Sequence, residues 1–293
     1  MMNKTLFAYL NINHPMVAWE VAIGRIRSAC DLDLGQQSFG ISLWQYNLLR
    51  KYSGEGLSKR FENELLLESV RQKNFHSSVP RLRGVYFFES ERDAHAAVER
   101  WGVPGNRRFI TAVNFSASKT THVDSEWITS YLNTDENDWM NRYWRGETLG
   151  ESPLTEVLAS GIGIVQNMNL RQEAYAQIMK LFPNSTPLLA MACCSFKHAR
   201  LESIAQVVPG IIRDKSGIEV SFHIYMGDLD HRQVEIQNAL SVCKARNEMP
   251  PMIQPSDPNV FFNLPDLMKD RFRLDDTRVV KLCGEVHESI RGW

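Results

Sequence analysis

Between Pro80 and residue 168 the chain changes its hydrophobic period in a fixed order that few architectures accept. "RLRG" leads into an apolar run, Val85 to Phe88, which reads as a buried strand. Ser90 follows as a helix N-cap with Glu91 and Asp93 in an acidic first turn, so "SERDAHAAVERW" reads as a helix. "RRFITAVNF" is the next strand, and "SEWITSYLN" with "DENDWMNRYWRG" forms a helix pair ending at Gly146. "LTEVLASGIGIVQN" returns to a strand, where Gly161 and Gly163 mark a bulge or a close backbone approach. The expected fold class is α+β.

The flanks extend this order. Residues 15–30 and 57–73 have apolar side chains at helical spacing, the second with Leu65, Leu66 and Val70 on one side. Beyond Leu170, "LRQEAYAQIMKLF", "HARLESIAQVV" and "HRQVEIQNALSVCKARN" read as helices. "PLLAMACCSF" and "GIEVSFHIYMG" read as strands, and "MPPMIQPSDP" as a Pro-rich loop. The change of character places a boundary near residue 168, giving a unit over 1–168 and a C-terminal α/β region over 169–293.

Composition excludes some partners. The 293-residue chain is 43% hydrophobic and 23% charged, enough for a sizeable core, and its net charge of -1 provides no global field for nucleic acid. The five cysteines show no CxxC spacing and no Cys/His ligand cluster along the sequence, so a reducing cytoplasm and no metal are expected. The N-terminus is interrupted by Asn11, Asn13, His14, Pro15 and Glu20, so neither a signal peptide nor a membrane partner is expected.

Two features carry chemistry. Arg81 and Arg83 stand before the first core strand, where a planar guanidinium suits a pyrophosphate. As strand residues two apart they would share a face, with Arg83 the deeper. Glu156 opens an apolar strand, where a carboxylate can accept from a ribose hydroxyl and favour a cationic sugar transition state. Other residues have blander readings. His14 reads as a loop residue, Arg71 as part of a solvated helical face, Cys193 and Cys194 as core, and "GIGIV" as a bulge without phosphate-loop spacing. Ser78, before the arginines, could meet phosphates through its hydroxyl and backbone. The tryptophans read first as packing, although Trp139 and Trp144, near Arg142 and Arg145, would suit a stacking and phosphate surface.

The arginine before "GVYFF", the aromatic-rich "SYLNTDENDWMNRYW" and the glutamate of "TEVLASGIGIV" together resemble the NAD-dependent ADP-ribosyltransferase superfamily, nearest its bacterial toxin and defence types, DarT-like or RES-like. The resemblance covers roughly residues 60 to 168. It implies a split β-sheet core flanked by helices, NAD as substrate, Arg83 or Arg81 on NAD, Tyr131, Tyr143 or Trp144 in the nicotinamide pocket, and Glu156 as the catalytic residue. The basic stretches "SFKHAR" and "CKARN" favour a macromolecular acceptor, the Arg/Trp mix over 139–145 puts nucleic acid ahead of protein, and an antitoxin or chaperone is a further candidate partner. Leu154 stands two before the glutamate where arginine-modifying members have a second acid, which disfavours that subclass. NAD hydrolysis and an inactive module of the same fold remain as alternatives.

Overall fold

The computed structural model describes residues 2–30, 32, 38–56, 58–214, 216–254, 263–276 and 283. Its elements in chain order are β1 (Met2–Tyr9), α1 (Pro15–Ile23), β2 (Arg25–Arg27), β3 (Ser38–Gly40), α2 (Leu43–Glu55), α3 (Lys59–Asn74), β4 (Val85–Phe87), α4 (Glu91–Arg100), β5 (Ile110–Asp124), α5 (Glu126–Tyr131), α6 (Trp139–Trp144) and β6 (Thr155–Val165). There follow α7 (Met168–Leu181), α8 (Thr186–Ala199), β7 (Gln206–Arg213), β8 (Ile218–Tyr225), α9 (Gly227–His231), α10 (Gln233–Ala245) and β9 (Phe272–Leu274). The class is α+β, with two antiparallel sheets among the described residues.

The first sheet has the order β1-β5-β6-β2, and β4 also pairs with β6. Residues 157–159 of β6 face β4, and residues 162–164 face β2, so two short strands share one edge of a long one. The break between them falls at Gly161, where φ is +140° and a Cβ would lie 2.2 Å from the Ser116 carbonyl oxygen. The register of β5 against β6 shifts there, between Ala117 and Lys119, as the bulge reading of "GIGIV" expects. Beyond β4, Phe88 exchanges two backbone hydrogen bonds with Phe7 of β1, each 2.8 Å, and curls the sheet back on itself. The second sheet runs β3-β7-β8-β9 and so joins the N-terminal strand β3 to strands near the C-terminus.

Three segment expectations are corrected. "PLLAMACCSF" is not a strand but most of α8, buried along nearly its whole length and packed on α1 and α10. A continuous apolar run carries no period with which to tell helix from strand, and here burial on every side selects the helix. "HARLESIAQVV" is not a helix, because α8 ends with Arg200 in the left-handed region (φ 54°) and β7 begins at Gln206. The helix expected over 15–30 stops at Ile23, since Gly24 adopts φ 92° as its C-cap and β2 starts one residue later. The tail of the Pro-rich loop, 255–258, lies outside the described residues. No helix among the described residues is long and apolar enough to cross a membrane.

The principal core draws on both sides of residue 168, from Trp19 and Ile23 to Ile178, Leu188 and Leu189. Polar bonds cross as well. Trp19 Nε1 donates to the Ala205 carbonyl (2.9 Å), and the fully buried Arg25 donates from Nη1 to the carbonyls of Glu202 (3.0 Å) and Ile204 (2.9 Å). A chain ending at residue 168 would expose that apolar surface and leave Arg25 with unmet donors. It is expected to partition into the insoluble fraction on expression. A soluble, cooperatively melting fragment in size exclusion and calorimetry would show that the N-terminal part folds alone.

Candidate functional site

The site grows from three chain segments meeting behind β4. Arg81 does not lie on a strand. The Gly84 and Arg83 amides both donate to the Pro80 carbonyl (2.8 and 3.2 Å), winding residues 81–83 into a turn before β4 begins. On a helical turn, side chains two apart diverge by roughly 200°, so the two arginines point apart instead of sharing a face. Arg81 is the inner one, 3% exposed, which reverses the expectation that Arg83 is deeper. Arg83 turns the other way and donates to the carbonyls of Ala29 (2.6 Å), Gly40 (3.2 Å) and Leu32 (3.4 Å), tying β3 to the segment after β2.

Arg81 meets two carboxylates and two phenols. Its Nε donates to Glu64 Oε1 (2.7 Å), and its Nη1 donates to Tyr143 Oη (2.6 Å) and Glu156 Oε2 (3.5 Å). The Tyr86 ring lies 5.2 Å from the guanidinium carbon, and its hydroxyl donates to the Arg81 carbonyl (2.7 Å). Glu156 sits one residue ahead of the β4 pairing, opposite Val123 of β5, and is 5% exposed. The strand start therefore delivers its carboxylate to the turn that delivers Arg81.

Glu64 is the residue that the sequence reading missed. It comes from α3, whose buried stripe is Phe61, Glu64, Leu65, Glu68 and Arg71, while Leu66 is exposed. The expected stripe of Leu65, Leu66 and Val70 is corrected accordingly. The signal was available, since Glu64 and Glu68 are in phase with Phe61 at spacings of three and four. Arg71 is corrected for the same reason. It is not solvated but 1% exposed, fixed to Glu68 at 2.8 Å, and it donates to the His76 and Ser78 carbonyls (3.3 and 2.9 Å).

The electrostatics follow from burial. Desolvation raises the Glu156 carboxyl from its ordinary 4.5 to about 7, Arg81 pulls it down, and the like charge of Glu64 pushes it up. Burial pushes the Tyr143 phenol well above its ordinary range, against the pull of Arg81, so it stays a neutral hydroxyl. Burial opposes the charge on Arg81, yet Glu64, the two tyrosines and Glu156 together hold it cationic. Glu64 Oε2 and Trp44 Nε1 are buried with no hydrogen-bond partner among the described residues. Unmet polar atoms of this kind are costly and fit a site that receives a polar ligand or water.

Trp44 forms part of the wall between this cluster and an adjoining cavity. Its ring centroid is 4.9 Å from the guanidinium carbon of Arg60 and 5.7 Å from that of Arg81. The cavity, of about 220 Å³, is lined by Glu20, Arg27, Trp44, Arg83, Tyr86 and Gln206 among others. Arg83 thus touches the cavity, and Arg81 lies behind its Trp44 and Tyr86 wall.

The structure brings Arg81, Tyr143 and Glu156 together. Ser78 is half-buried in the turn after α3, where its amide donates to the Phe75 carbonyl (2.8 Å). Tyr131 packs on Trp127 and Trp139, with ring centroids at 5.6 and 6.3 Å. Trp144 is buried and donates to the Leu67 carbonyl (2.9 Å). Trp139 is buried as well, while Arg142 and Arg145 both pair with Glu147, at 2.8 and 3.4 Å. Trp139 and Trp144 therefore pack as the first reading of the tryptophans expects, and their rings complete a core instead of a stacking surface. His14 caps α1, accepting the Met16 amide at Nδ1 (3.3 Å). No family model matches the chain, and no curated protein matches it.

Proposed function

We propose that the chain is an NAD-dependent ADP-ribosyltransferase in which Glu156 is the catalytic carboxylate and Arg81 the cation that orients it. The observation that carries this reading is the meeting of Arg81, from the turn before β4, and Tyr143, from α6, with Glu156 at the start of the antiparallel neighbour β6, where burial raises the Glu156 carboxyl pKa to about 7. Perturbed acids with a specific charge partner cluster at functional sites.

In the reaction the bond between ribose C1′ and the nicotinamide nitrogen breaks, and nicotinamide leaves with the bonding electrons. Ionised Glu156 accepts from the ribose 2′-hydroxyl and stabilises the oxocarbenium. The acceptor nucleophile then bonds to C1′, and its proton passes to Glu156 or to solvent. The cavity beside Arg83 is smaller than the roughly 300 Å³ of ordinary ligand sites, so it holds only part of a dinucleotide. Reaching Glu156 requires Trp44 and Tyr86 to move. The acceptor is macromolecular in this reading.

A second reading, an inactive module of the same fold, is favoured by the near-complete pairing of Arg81 inside the protein. Labelled NAD incubated with the chain and separate pools of DNA, RNA and protein distinguishes the readings. Label in one pool identifies the acceptor, nicotinamide release without labelling means hydrolysis, and unchanged NAD in every pool supports the inactive module. In calorimetric NAD titrations, Arg83→Lys is expected to weaken binding at the cavity, because a point charge loses the guanidinium fork, and Arg81→Lys to weaken it by releasing Glu156 from its cation. Unchanged affinity in Arg81→Lys would remove Arg81 from the site.

A further inference from the structure

A second cluster lies far from Glu156, between α8 and the end of α10. Cys194 and His198 are four apart on α8 and so share one of its faces. Opposite them, Cys243 is in the last turn of α10. Beyond it the chain reverses through Asn247 in the left-handed region (φ 55°). The Glu248 amide donates to the Cys243 carbonyl (2.9 Å) and the Asn247 amide to the Lys244 carbonyl (3.1 Å). This double bond pattern is a Schellman cap, and it folds Glu248 back over the helix end beside Cys243.

The donor atoms of His198, Cys243 and Glu248 all lie within 4.8 Å of one another, and His198 Nε2 is 3.0 Å from Glu248 Oε2. Cys194 Sγ lies beside Cys243 and 3.7 Å from Met249 Sδ. We propose that His198, Cys243 and Glu248, with Cys194 as the fourth donor, form a zinc site that clips α8 to the end of α10. Zinc bonds of about 2.0–2.3 Å set ligand separations of roughly 3.3–3.8 Å; the His198–Glu248 pair at 3.0 Å need open only slightly, and the wider separations, 4.8 Å at most, need close by no more than about 1.5 Å. A set of one imidazole, two thiols and one carboxylate suits zinc over magnesium or calcium, which take oxygen ligands. Two thiolates and a carboxylate around a divalent cation leave one net negative charge. Lys197, whose Nζ is 2.9 Å from Glu248 Oε2, stands ready to balance it. Cys194, Cys243 and Glu248 also line a cavity of about 650 Å³, which provides a path for the ion.

Cobalt and zinc titrations of the full, reduced, chelator-stripped chain test the site. Wild type is expected to take one cobalt ion per chain with a thiolate-to-metal charge-transfer band, which zinc then bleaches. Glu248→Gln, an exposed position, should weaken zinc binding at least about tenfold, since even partners outside the ligand set are worth that much. Cys243→Ser should lose the charge-transfer band. Failure of wild type to bind stoichiometric metal, binding without that band, or unchanged affinity in Glu248→Gln would each overturn the proposal, whether or not the Cys243 variant folds.

Discussion

Glu156→Gln is expected to keep the fold, to lose the proposed transferase activity by about 10²–10³-fold, and to be more stable than wild type at alkaline pH. The amide preserves volume but cannot offer an anion to the oxocarbenium. The stability gain follows from the sign of the shift. Glu156 titrates near 7 in the folded chain against an ordinary 4.5, so the folded state holds its proton more tightly. Its contribution is fully present below about 4.5 and is lost as pH rises through about 7, a difference of roughly 3 kcal/mol. The Gln variant has no such loss, and denaturant midpoints measured from pH 5 to pH 8.5 should diverge from wild type upward through that window. In the proposed reaction the ionised form is the active one, so turnover of wild type should rise over the same interval. Parallel stability curves would mean that Glu156 is not desolvated, and wild-type turnover by the Gln variant would remove it from the reaction.

Arg81→Met is expected to destabilise the chain by about 3–5 kcal/mol, the usual result of removing one partner of a buried ion cluster. Glu64 and Glu156, 1% and 5% exposed, would be left facing each other without a cation. Adding Glu64→Gln to Arg81→Met should recover a large part of the loss, since the amide removes the charge that has no partner. Urea unfolding of the single and double variants at pH 7.5 measures both. A loss below about 1 kcal/mol at Arg81 would place the cluster in water, where ion pairs contribute little.

These two results depend on different levels of organisation. The position of Glu156 at a strand start is legible in "TEVLASGIGIV", because a polar residue followed by an apolar run is a local pattern, and β6 begins one residue earlier, at Thr155. The cap of α4 by Ser90 is equally local and forms as expected, with the Ser90 side chain accepting the Asp93 amide. The partners of Glu156 are not local. Glu64 and Arg81 are 17 residues apart, and Arg81 and Glu156 are 75. Helical phase marks Glu64 as inward-facing, but nothing in "RFENELLLESVRQ" indicates what it faces.

The sequence by itself determined the α+β class, the order of elements from Ser90 to Val165, the bulge at Gly161 and the carboxylate at the mouth of β6. Each depends on spacing among near neighbours, capping chemistry or the steric freedom of one residue. Only the tertiary structure decided that Arg81 and not Arg83 is the buried arginine, that residues 186–199 are a helix, that Trp139 and Trp144 are core, and that His198, Cys243 and Glu248 meet. Those outcomes depend on which surfaces desolvate one another, and desolvation is set by chain segments far apart in sequence.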